Sequence, residues 1–132
     1  MVEYTIDEVK LLKTVAVILE KFKKESKISL SDYQQVLEKQ GRNSEHLLGV
    51  VLTYLPKVER WYREKRGEYI QNNQEGLPKN AYERECVIKS ETAKFREIRD
   101  TMVSAKIFAD SRRNYIQSLL KSANEKNSKR FS

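Results

Sequence analysis

The chain has 132 residues, 34% of them charged and 39% hydrophobic, with 26 Lys/Arg against 19 Asp/Glu for a formal net charge of +7. That length holds one domain with a modest core, and the heavy charge excludes a thick globule in favour of an elongated, well-exposed one. A single cysteine, Cys86, and a single histidine, His46, exclude an internal disulfide and a Cys/His zinc site.

The first predicted element is a helix capped by Thr5 or Asp7 and running to about Ser26. Its middle, from Leu11 to Leu19, is apolar around most of the circumference, so it wants contacts on two sides. Lys21, Lys23, Lys24 and Lys27 cluster at its end. They suit the negative end of the helix dipole or, equally, a phosphate group. A second helix is expected from Ser29 or Ser31 to about Gln40, closed by Gly41 as a C-cap. A third then starts at Asn43 or Ser44. Two short helices about a Gly turn raise a helix-turn-helix regulator as one alternative. The would-be recognition helix, however, reads His46-Leu47-Leu48-Gly49-Val50-Val51-Leu52, which suits a core better than base edges.

Pro56 either kinks that helix or opens a new one. From Lys57 to Arg66 the chain turns basic and aromatic. At helical spacing Val58, Trp61, Tyr62 and Tyr69 share one face, while Arg60, Arg63 and Arg66 wind across the other. Guanidinium forks suit phosphate oxygens, and Glu59, Glu64 and Glu68 are placed to neutralise some of them. Residues 71–79, with Gly76 and Pro78, read as the one real loop.

Residues 80–123 contain neither Gly nor Pro. Ile88, Phe95, Ile98, Met102, Ala105, Ala109, Ile116, Leu119 and Ala123 recur there at heptad spacing, interrupted by Glu91 and Arg112. One unbroken helix would be about 66 Å long. A bend or break is expected at Ser90 or at Asp110-Ser111. Residues 124–132, including Lys129 and Arg130, read as a flexible basic tail. The predicted fold is therefore all-α: an elongated helical bundle of about four helices with a long C-terminal helix or helix pair. Residues 1–123 form its single domain, with 1–42 a candidate N-terminal arm.

Chemistry is sparse. The four glycines, at 41, 49, 67 and 76, make no phosphate loop. No nucleophile–base pair can be assembled, so no catalytic residue and no cofactor are assigned, and an enzyme is not expected. Residues 101–132 hold seven Lys/Arg against two Asp/Glu. A basic end on a near-neutral body suggests a polyanion, either nucleic acid or, less indicated, an anionic membrane face. The candidate nucleic-acid contacts are Lys21, Lys23, Lys24, Lys27, Arg60, Arg63, Arg66, Arg112, Arg113, Lys129 and Arg130. The start Met1-Val2-Glu3-Tyr4 lacks the basic region of a secretory signal.

In size, all-α pattern and basic charge the whole chain resembles the coat proteins of filamentous archaeal viruses, the lipothrixvirus and rudivirus lineage. That resemblance implies a bundle subunit that coats linear double-stranded DNA through contacts with copies of itself or a related subunit. It also implies a place in the virion, where the residues alone imply an intracellular protein. Phe95-Arg96-Glu97-Ile98-Arg99 and Arg112-Arg113-Asn114-Tyr115-Ile116 loosely resemble the helical domain of archaeal GINS subunits. That likeness implies an interaction module of a DNA replication complex.

Overall fold

The computed structural model describes the backbone of residues 2–130 and the side chains of residues 8–126. It is all-α, with helices α1 (Val2–Ser26), α2 (Gln34–Asn72), α3 (Ala81–Glu91) and α4 (Ala93–Arg130), and a short 3-10 turn at Gln74–Gly76. No strand occurs among the described residues.

The two longest helices form the spine. Gly41 lies against Ile116, Glu45 accepts a hydrogen bond from Gln117 at 3.4 Å, and Trp61 meets Phe95 edge-on at 5.5 Å. These pairs run in opposite order along the two helices, so α2 and α4 are antiparallel. Helix α1 lies across both. Its Glu8 reaches Trp61 of α2, and its Phe22 packs on Phe108 of α4 at 5.4 Å, so it runs parallel to α4. Helix α3 closes the end of α2, where Arg66 holds Glu85 through two 3.0 Å bonds. The accessible surface is 9788 Å² for 15.6 kDa, where a compact globule of that mass has about 7,200 Å². The molecule is a rod.

The heptad seam is the core. Met102, Ala105 and Ala109 are fully buried in one cluster with Val51 and Val58 of α2 and with Val15 and Ile18 of α1, each 2% exposed, while Ile116 is fully buried further along, beside Gly41. The alanines let α2 and α4 approach closely. The break comes at Thr92 rather than at Ser90, and Asp110-Ser111 lies within unbroken helix. Thr92 is fully buried, and its Oγ1 donates to the Ile88 carbonyl at 2.6 Å. Thr14, Thr53 and Thr101 make the same bond within unbroken helix, so what sets Thr92 apart is its full burial at the junction of α3 and α4. Asn80 caps α3 by accepting from the backbone N–H groups of Tyr82 and Glu83.

Four expectations need correction. Helix α1 begins at Val2, ahead of Thr5 and Asp7. Helix α2 is a single 39-residue helix that runs through Gly41 and Pro56, so the Gly turn of a helix-turn-helix does not exist. Gly41 serves packing instead: a Cβ there would sit 3.1 Å from Cγ2 of Ile116. Finally, α4 continues as helix through the expected flexible tail to Arg130, since no Gly or Pro follows Pro78 to stop it. A second loop, 27–33, had no strong breaker to announce it. It is held by Gln40, whose amide donates to Ser29 O and whose Oε1 accepts from Ser31 N, both at 3.0 Å.

Candidate nucleic-acid interface

The expected cations do not form one patch. Lys21 to Lys27 lie level with Phe108 and Arg112 of α4, whereas Arg60 to Arg66 lie level with Phe95 and Arg99. Those levels are about 20 Å apart along α4. Arg112 faces inward: it donates to the carbonyls of Glu25 at 3.1 Å and Ile28 at 2.6 Å, with its guanidinium 5.4 Å from the Phe108 ring. It thus finishes the C-terminus of α1, a task the sequence offered to the lysines. Arg66 is held by Glu85 and Arg113 by Asp110 at 2.8 Å. Arg60 pairs with Glu64 at 3.1 Å, although its side chain is 84% exposed. Arg63 is exposed with no acid in pairing distance among the described residues. Lys129 and Arg130 lie on the α4 backbone, and their side chains fall outside the described residues.

What the fold does assemble is a basic strip on α1. Burial of Leu11, Val15, Ile18 and Phe22 turns the opposite side of the helix to solvent. Between residues 9 and 27 that side carries Lys10, Lys13, Lys21, Lys23, Lys24 and Lys27 against a single acid, Glu20. Glu20 reaches Lys24 only at 4.0 Å with both side chains at least 70% exposed, which neutralises little. Glu8 is engaged by Trp61 and Lys65, and Glu25 is half-buried. The helical part of the strip rises about 21 Å from Lys10 to Lys24. At its Lys10 end it meets a cleft of about 620 Å³ between α1 and α2, lined also by Lys57, Arg60, Tyr54 and Trp61. Lys57 stands 4.9 Å over the Tyr54 ring. Lys10, Lys13 and Lys57 were missed by sequence reasoning. The first two share the helical phase of Lys21 and Lys24, a signal masked by the apolar run between them.

The cleft floor is fixed by Glu8, which accepts from Trp61 Nε1 at 2.9 Å and from Lys65 Nζ at 2.8 Å. The Lys65 bond, then the Trp61 bond, lowers the Glu8 pKa, and the Glu8 bond raises that of Lys65. Above the ordinary carboxylate value of 4.5, Glu8 contributes stability that is lost as pH falls through its lowered folded value. Lys65 contributes below 10.5 and loses its share as pH rises through its raised folded value. The stability difference between wild type and Glu8→Gln should therefore be flat from about pH 5 to 10 and shrink on both sides. Urea unfolding across pH measures this, and a difference that does not shrink at all as pH falls below 4.5 would remove the ion pair as its cause.

No helix among the described residues is long and apolar enough to cross a membrane, and no group of three or more His, Cys, Asp or Glu among them could hold a metal ion. The chain matches no family model, no curated protein and no solved structure.

Proposed function

We propose that this protein binds the phosphate backbone of double-stranded DNA without reading its sequence, as a structural subunit that coats the duplex in a filamentous assembly with copies of itself. The observation that supports the reading is the α1 strip, with five exposed lysines on the helix, Lys27 just past its end, and one weakly paired acid. Coating a duplex takes cations dispersed along a rod, because phosphate contacts supply affinity and base contacts supply specificity. Lysine ammonium groups on exposed stems meet a phosphate row as point charges, and they tolerate any sequence beneath it.

The test is a variant with Lys10, Lys13, Lys21, Lys23 and Lys27 changed to Gln. The proposal expects duplex affinity to fall, and the slope of log K against log salt to flatten by about 4, near 0.9 per lost phosphate contact. An Arg66→Gln, Arg113→Gln control, whose guanidiniums are already engaged by acids, should bind within about twofold of wild type. Unchanged binding in the lysine variant would take α1 off the contact surface.

A further inference from the structure

Between Asp100 and Lys121 the outer face of α4, opposite the buried seam, carries no charged residue. Ser104, Ile107, Ser111, Tyr115, Ser118 and Ser122 follow at spacings of 3, 4, 4, 3 and 4, a second helical stripe, and each is exposed. Ile107 is 61% exposed and Tyr115 58%. No charged side chain falls on this stripe between Asp100 and Glu125, in a chain where one residue in three is charged. Helix α1 meets α4 on another flank, through Phe108 and Arg112. Helix α2 meets it through Ile116 and the seam alanines.

We propose that this face pairs with the same face of a second copy, antiparallel, about a two-fold axis through Ser111. Two copies each carrying +7 repel, so they can approach closely only where charge is absent. The stripe is also self-complementary. An axis through Ser111 places Ser104 on Ser118 of the second copy and Ile107 on its Tyr115, large beside large and small beside small. The serines let the backbones close while Ile107 and Tyr115 fill the space between them. The antiparallel sense follows from the ends. Parallel pairing would set Lys121 and Lys126 beside their own copies, whereas antiparallel pairing holds them apart and opposes the helix dipoles. An isologous contact of this kind closes on itself as a dimer, so the filament of the proposed function repeats that dimer through its other surfaces. It deepens the self-assembly half of the proposed function and needs no nucleic acid.

The test uses single cysteines in a Cys86→Ser background, since Cys86 is the only cysteine and is exposed. Ser111→Cys lies on the axis and should form a disulfide-linked dimer under mild copper-catalysed air oxidation. Ser104→Cys alone should not, because its own copy lies about 21 Å away along the helix, beyond disulfide reach. Mixed with Ser118→Cys, it should cross-link. Independently, Tyr115→Glu should weaken dimerisation at least about tenfold by sedimentation equilibrium, with an unchanged far-UV spectrum. Self-linking of Ser104→Cys would overturn the antiparallel register. Equal, weak linking at 104 and 111 would overturn the face itself. Both assays run without DNA, so their failure leaves the phosphate reading standing, and loss of DNA binding in the lysine variant leaves the dimer standing.

Discussion

Met102→Ala should lower the unfolding free energy by about 2–5 kcal/mol, the cost of deleting a large buried side chain and leaving a cavity. Met102 is fully buried midway along the seam, next in the stripe to Ala105 and Ala109, which are too small to swing into the space. The backbones of α2 and α4 are also held at fixed separation by the Gly41–Ile116 contact and by Trp61 on Phe95. Collapse is therefore poor, and the cost should lie towards the upper part of the range. Against a total of about 5–15 kcal/mol for a domain, that loss moves the urea midpoint far to the left while the m-value stays constant. A loss under about 1 kcal/mol would mean that the seam is not the continuous core described above.

The second large effect belongs to Arg112, and it separates a structural cation from a DNA-binding one. Arg112→Ala removes two charged hydrogen bonds to the carbonyls of Glu25 and Ile28 and the packing on Phe108. A cost of about 2 kcal/mol is expected, since hydrogen bonds to charged groups contribute roughly 1.5–3 kcal/mol and part of this site is open to water. Arg112→Lys keeps the charge and loses the fork, so it should recover less than half of that stability. Duplex affinity, measured where both variants are folded, should change by less than about twofold. Full rescue by Lys, together with lost DNA binding in the Ala variant, would return Arg112 to the interface.

The seam was legible because period alone carries it. Ile88 to Ile116 recur at heptad spacing in a stretch without Gly or Pro, and burial follows the pattern. Gly41 was misread because glycine marks a turn by default. That it instead admits Ile116 depends on a helix 75 residues away, which no local pattern records. Arg112 was noticed as an interruption of the seam, yet its partners are two backbone carbonyls, and carbonyls leave no trace in residue type. The α1 strip was half legible. Lys21 to Lys27 stood out as a cluster, while Lys10 and Lys13 became part of a face only once Val15 and Ile18 were seen to point inward. Along the chain residues 1–50 balance eight Lys/Arg against eight Asp/Glu. Folding separates that balance by engaging Glu8 with Trp61 and Lys65 and leaving the lysines of α1 exposed.

The central claim, sequence-independent binding to the phosphate backbone, is tested most directly by fluorescence anisotropy of the wild-type chain with two unrelated random-sequence duplexes of equal length, from 50 to 200 mM salt. Affinities should be equal within about twofold, with a log–log salt slope of about −4 or steeper, as expected for five or more phosphate contacts. A slope near zero, or a preference above about tenfold for one duplex, would contradict it.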